Sequence, residues 1–176
     1  MITVTGIPVI ETERLRLRGP LASDADAIQR FLTSDRAKTV GGPILPGQAW
    51  RALAHIAGHW MLRGYSAFVF ADKVTDAPLG MCGPWMPEGW PEGEIAWSVW
   101  EETAEGKGYA FEAAQAARRF AYDGLGWTTA VSLIAEGNLR SEALANRMGC
   151  VCEGVFTFET GATARVWRHP GPEVAL

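Results

Sequence analysis

The segment EGKGYAFEAAQAARRF, from Glu105 to Phe120, constrains the fold of this chain more than any other. Gly106 and Gly108 stand at the mouth of an alanine-rich run that reads as a helix. EIAWSVW precedes it, and after Gly124 and Gly126 comes the β-branched WTTAVSLIA. Strand, helix and strand in that order form a crossover unit, which places the two strands parallel in one sheet. A helix start presents N–H groups without partners and the positive end of the helix dipole. Glycine there removes the Cβ that would hold a ligand away. The pair therefore reads either as a tight turn or as a receptor for phosphate or pyrophosphate. A dinucleotide fingerprint would need a third glycine where Phe111 stands, and no Walker loop occurs.

The flanking sequence supplies the rest of a mixed sheet. ERLRLRGP alternates Leu15 and Leu17 against Arg14, Arg16 and Arg18, the pattern of a half-buried strand. In LASDADAIQRFLTSD, Ser23 or Asp24 is expected to cap a helix whose apolar face is Ile28, Phe31 and Leu32. GGPILPGQ breaks it. AWRALAHIAGHWMLRG follows as a second helix with Trp50, Leu53, Ala54, Ala57, Trp60 and Met61 at helical spacing, stopping at Gly64. YSAFVFADK and LGMCGPWM, joined by VTDAP, predict a hairpin. The crossover helix is expected to run to about Tyr122. NLRSEALANRMG reads as a short helix capped by Asn138 with Gly149 past its end, and CVCEGVFTFE and ATARVWRH close as a hairpin. The expectation is an α/β or α+β fold with a mixed sheet, one domain over residues 1–176, with no repeat or linker to divide it.

Composition excludes several classes. At 176 residues and 48% hydrophobic content, one well-buried core is within reach. A formal net charge of -4 argues against general nucleic-acid binding. No apolar run is long enough to span a membrane, and MITVTGIPVIETERLRLRGP lacks the build of a signal peptide, so a cytoplasmic protein with no membrane partner is expected. Cys82, Cys150 and Cys152 are odd in number, which argues against a disulfide framework. Cys150 and Cys152 are expected on one strand face, as buried free thiols rather than zinc ligands. His55 and His59, at i and i+4, have zinc-compatible spacing. No third ligand accompanies them, so a partly exposed helix face and no metal are expected. Of eight tryptophans, Trp85, Trp90, Trp97 and Trp100 fall in one span, as core or as the lining of a groove for an apolar group.

IETERLRLRGP, GEIAWSVW, EGKGYAFEA and NLRSEALANRMGC occur in an order and spacing that resemble the GNAT acyl-CoA N-acetyltransferases. Within that family the chain looks most like the branch that acetylates ribosomal-protein N-termini, the RimJ/RimL type. The similarity spans about Ile10 to His169. It implies a mostly antiparallel sheet flanked by helices, with a splayed parallel strand pair. It also implies direct transfer of an acetyl group from acetyl-CoA to a primary amine of a small molecule or peptide N-terminus, with no metal. The family's loop is Gln or Arg, two residues, Gly, one residue, then Gly or Ala. Glu105, Gly108 and Ala110 take those places.

The resemblance implies that the backbone of Glu105, Gly106, Lys107, Gly108, Tyr109 and Ala110 wraps the coenzyme A pyrophosphate. An inward carboxylate at Glu105 would oppose that charge, and Lys107 either offsets it or projects into solvent. Main-chain groups of Trp97, Ser98 and Val99 are implied to pair with the pantetheine arm, as an added strand pairs with a sheet edge. Asn138 is implied to hold pantetheine as well as cap its helix. Ser141 is either a hydrogen-bond donor to the leaving thiolate or a plain first-turn residue. Ala145 stands where many members carry a tyrosine acid. Glu94 is the candidate general base, or else a structural carboxylate, and Glu112 reads as structural. Trp85, Glu94 and Trp97 are implied to meet the acceptor amine. A homodimer is expected from general frequency and the tryptophan count. The alternative reading is a coenzyme A-binding regulatory or interaction module with little catalysis, favoured by Ala145 and Glu105.

Overall fold

Leu15 and Leu17 are wholly buried, and the strand they define is one of eight in a single sheet. The computed structural model describes residues 6–173; Met1 to Thr5, the start of the segment read for a signal peptide, lie outside it. In chain order the elements are β1 (Ile10–Glu11), β2 (Leu15–Arg18), α1 (Ala25–Leu32), α2 (Pro46–Arg63), β3 (Phe68–Asp72) and β4 (Pro78–Trp85). They continue with β5 (Glu94–Val99), α3 (Tyr109–Arg119), β6 (Val131–Ile134), α4 (Leu139–Arg147), β7 (Val151–Thr157) and β8 (Thr163–Arg168). The sheet order is β1-β2-β3-β4-β5-β6-β8-β7. All pairs are antiparallel except β5 and β6, the two strands of the expected crossover. That parallel pair meets in register only at Glu94 and Val131.

The alanines of α3 explain how the helix sits so close to the sheet. Ala113, Ala114 and Ala117 are fully buried, as is Ala121 in the turn that follows, and α3 packs on β2, β4 and β5. Small side chains let helix and sheet backbones approach, which aims the N-terminus of α3 at the end of β5. Around them Trp60, Phe68 and Phe120 pack edge to face or tilted. No helix among the described residues is long and apolar enough to cross a membrane.

Several local expectations are corrected. The buried side of α2 is Ala49, Leu53, Ile56, His59 and Trp60, while Trp50 and Met61 are exposed. One residue along a helix is about 100° of rotation, enough to swing those two large side chains outward. Neither Ser23 nor Asp24 caps α1 with its side chain. Asp24 is buried instead against Arg18, with Nη1–Oδ2 and Nη2–Oδ1 both at 2.9 Å, so Arg18 does not face solvent as strand alternation suggested. The segment Asp35–Val40 is a 3₁₀ helix, and α3 ends at Arg119 before a π-helical turn over Phe120–Gly124. Cys150 is buried but Cys152 is exposed, because only the latter lies within edge strand β7. His59 is buried rather than on an exposed face: its ring stacks on Trp85 at 4.8 Å and its Nδ1 lies 2.6 Å from the Tyr65 carbonyl.

Candidate active site

The site begins where β5 and β6 part. Val131 N–H donates to Gly93 C=O at 3.0 Å. In a regular parallel ladder of this register, the next bond would run from Leu133 N–H to Ile95 C=O. It is replaced by two side chains. Leu133 N–H donates to Glu94 Oε1 at 3.0 Å, and Ser132 Oγ donates to Ile95 C=O at 2.7 Å. Both halves of the missing rung are satisfied, so the strands separate without leaving a buried polar group unpaired. Beyond this point Trp97 and Val99 turn main-chain groups toward the gap. Ser98 turns its own toward β4, opposite Met81, and contributes its side chain to the gap.

Ser132 is held from behind. His169 Nε2 lies 2.9 Å from Ser132 Oγ, and His169 Nδ1 lies 3.5 Å from Arg118 Nη1. Because the Ser132 hydroxyl hydrogen goes to Ile95, the bonding network assigns the proton of His169 to Nε2. Burial, and then the charges of Arg118 and Arg168, push the His169 pKa down to about 3, so the ring is neutral. Arg118 is anchored in turn on the Met148 carbonyl at 2.7 Å.

Glu94 is buried at 7% exposure beside the gap. Its Oε2 accepts from Trp90 Nε1 at 2.6 Å while Oε1 accepts from Leu133. Burial raises its pKa to about 7, against the opposing pull of those two N–H donors. A carboxylate that titrates near neutrality is matched to taking up a proton there.

Two hollows meet at the gap. One is a groove bordered by Glu105, Gly106, Gly108, Tyr109 and Ala110, and by Arg36, Arg140 and Arg147. Gly106 and Gly108 have φ of 70° and 82°, the left-handed region that side chains resist. Nothing lies within 4 Å of where a Cβ on Gly106 would be, so the loop leaves that space open. The first N–H groups of α3 point out from Tyr109 onward. Glu105 does not oppose an anion, because two arginines claim it. Arg36 Nη2 sits 2.5 Å from Oε1, and Arg140 pairs with Oε2. Arg36 also donates to the carbonyls of Val99 and Trp100, tying the loop to the end of β5. Lys107 is exposed and does not border the groove, and its carbonyl accepts from Arg14 Nη1 at 2.9 Å. Glu112 is engaged by Thr12 and Arg14, a bridge from α3 to the start of β2. Open backbone, a helix start and guanidinium groups together fit a diphosphate.

The other hollow is a cavity of about 480 Å³ bordered by Trp85, Trp90, Trp97, Trp100, Phe31 and Phe158, with Glu94 in its wall. Trp97, Ser98, Asn138 and Ser141 border both hollows. Asn138 caps α4, its side chain accepting from Ser141 N–H at 3.3 Å. Ser141 Oγ accepts from Trp97 Nε1 at 3.2 Å, which leaves its own hydrogen free to donate. Ala145 is fully buried and offers no acid. Among the described residues, no group of three or more His, Cys, Asp or Glu is placed to hold a metal ion.

Arg36, Arg140, Ser132, His169 and Phe158 escaped sequence reading. Arg36 lies 69 residues from Glu105 and Ser132 lies 37 from Ile95, so no local spacing marks either.

The family model described as an acetyltransferase (GNAT) domain matches residues 14–151. Among solved structures the chain is similar to an acetyltransferase from Agrobacterium tumefaciens str. C58, with 31% identity over 97% of this chain and 98% of that one, and a TM-score of 0.86. It is similar to a GNAT-family acetyltransferase from Bordetella pertussis, with 26% identity over 93% and 99% of the two chains, and a TM-score of 0.76. RimL, a ribosomal-protein alpha-N-acetyltransferase in complex with coenzyme A, shares the fold at 16% identity, over 92% and 97%, with a TM-score of 0.71. No curated protein matches the chain.

Proposed function

The chain belongs to the GNAT acetyltransferase family, and from that premise we propose that it moves an acetyl group from acetyl-CoA directly to a primary amine. The observation that carries this reading is the meeting of an anion-binding groove and an aromatic cavity at a strand gap beside buried Glu94. Acetyl-CoA supplies the acetyl thioester. Gly106, Gly108 and the start of α3 bind its diphosphate, with Arg36, Arg140 and Arg147 balancing charge. Trp97 and Val99 pair with the pantetheine arm, and the Trp97 N–H, freed by the missing ladder, supports charge developing on the carbonyl oxygen. Glu94 takes the proton that the amine sheds as the C–N bond forms. Ser141 hydrogen-bonds to the sulfur as the C–S bond breaks. A thiol has an ordinary pKa of about 8.5, so this modest help replaces the acid that Ala145 cannot provide.

The test has two stages. Acetyl-CoA at a hundred times its dissociation constant should add about 2.7 kcal/mol of stability, with ADP and free pantetheine as controls. Released thiol is then followed with a panel of amines that includes a peptide N-terminus. Binding without thiol release from any amine would favour the second reading, a coenzyme A-binding module, to which Ala145 points. We further propose a cytoplasmic homodimer. Edge strand β7 supports the association, since it exposes Val151 and Val155 and leaves one side of its ladder unpaired. Light scattering on the wild type and a Val151→Glu/Val155→Glu variant tests it.

A further inference from the structure

Resting on the acetyl-transfer reading above, the character of the cavity identifies its occupant more closely. Its wall carries four indoles and two phenyl rings, from β4, β5, the residue just after β5, α1, the loop at Trp90 and the turn after β7. Glu94 is the single Asp, Glu, Lys or Arg among the described residues that line it; His55 borders it too, and burial and neighbouring His59 lower its pKa and favour the neutral ring. The guanidinium groups of Arg36, Arg140 and Arg147 border the neighbouring groove and not the cavity. A carboxylate or phosphate on the acceptor would therefore be buried with no cation to meet it, and beside Glu94.

Some of the polar side chains in the wall are engaged already, while Thr39, His55 and Thr163 also border it and Ser141 keeps a hydrogen to donate. Ser98 Oγ accepts from Trp100 Nε1, Ser132 bonds Ile95 and His169, Asn138 caps α4, and Ser141 accepts from Trp97. A peptide brings an N–H and a C=O with every residue, and a wall dominated by six aromatic rings suits these less well than it suits an apolar body. An ammonium on an apolar body is matched instead: indole faces attract the cation and bury the body, and Glu94 receives the polar end.

We propose that the acceptor is a small primary amine carried on an aromatic or similarly flat apolar body, free of carboxylate and phosphate. The arrangement of the cavity, not its size alone, selects this class.

The probe is 2-phenylethylamine, compared with phenylalanine, which is the same body with a carboxylate added, and with an alanine-led tetrapeptide. Binding is followed by quenching of tryptophan fluorescence, and transfer by thiol release from acetyl-CoA. The expected result is saturable quenching by 2-phenylethylamine, with a kcat/KM about a hundredfold or more above either comparison amine, a ratio within the reach of an unpaired buried polar group. Phe158→Ala, at a partly buried position before the β7–β8 turn, should raise KM for the amine about tenfold with kcat little changed. Trp85→Phe, which keeps a ring against His59, serves as a second variant with the same expectation. Preference for phenylalanine or the peptide overturns the inference and leaves acetyl transfer standing. Quenching by 2-phenylethylamine with no transfer to any amine supports the cavity assignment and sinks the acetyl-transfer reading. No quenching and no transfer overturns both.

Discussion

In the proposed reaction Glu94 takes up the proton, and its environment pulls in two directions. Burial favours the neutral acid, while two N–H donors aimed at its two oxygens favour the carboxylate. The balance at about 7 means that kcat/KM should rise with pH and level off above that value. Glu94→Gln should lower kcat by about 10²–10⁴-fold and remove that inflection, as read from a pH–rate profile. Stability runs the other way. The folded pKa of about 7 exceeds the ordinary 4.5, so between those values the folded chain keeps a proton that the unfolded chain has lost. Stability therefore declines across that window as pH rises, and denaturation of Glu94→Gln should lack this component. Arg36 carries a second prediction at this scale. It neutralises Glu105 and grips the end of β5, with both partners largely shielded from solvent. Arg36→Ala should raise KM for acetyl-CoA by roughly ten- to a hundredfold, the worth of a charge-assisted hydrogen bond, with a smaller effect on the KM of the amine.

At the scale of elements, the parting of β5 and β6 is made by side chains and not by a loop or a proline. Glu94 and Ser132 each take one half of a backbone bond, and His169 with Arg118 fixes Ser132 from below. Ser132→Ala would leave the Ile95 carbonyl free to recover Leu133 N–H and close the gap, or leave it unpaired. Either way KM for acetyl-CoA should rise, and folding stability should fall by about 1–3 kcal/mol. Equilibrium unfolding and initial-rate kinetics check both, and Ser132→Thr should restore much of the loss by keeping the hydroxyl. The position of this gap was legible as far as strand, glycine loop, helix and strand imply a parallel pair. The side chains that open it were not. Ser132 looks like any small strand residue until the register sets it opposite Ile95, and His169 meets it only because β8 lies beside β6. The helix capped by Asn138 was readable in full, because a cap and its N–H lie within one turn.

Across the whole molecule, one buried ion pair anchors β2 to the entry of α1. Arg18 and Asp24 meet through two bonds at 2.9 Å with almost no exposure, and Asp76 joins from the β3–β4 turn. Removing one member leaves a buried charge, so Arg18→Met should cost about 3–5 kcal/mol of stability, measured as a shift in denaturation midpoint. The sequence alone determined the main strands and the four α-helices, since hydrophobic period, caps and glycines act within a few residues of one another, but not the 3₁₀ segment Asp35–Val40 or the π-helical turn after α3. It also marked the glycine loop before the alanine helix as a turn or an anion receptor, while the left-handed φ of Gly106 and Gly108 and the open space beside Gly106 came from the structure. Only the tertiary structure decided the rest. It turned α2 so that His59 rather than Trp50 is buried, and gave Glu105 two arginine partners that quench its charge. It left Lys107 in solvent and set a lone carboxylate among aromatic rings. Each of these depends on which surfaces the sheet order brings together. Burial and long-range pairing set the protonation of Glu94 and the parting of β5 and β6, and neither is a property of any short stretch of chain.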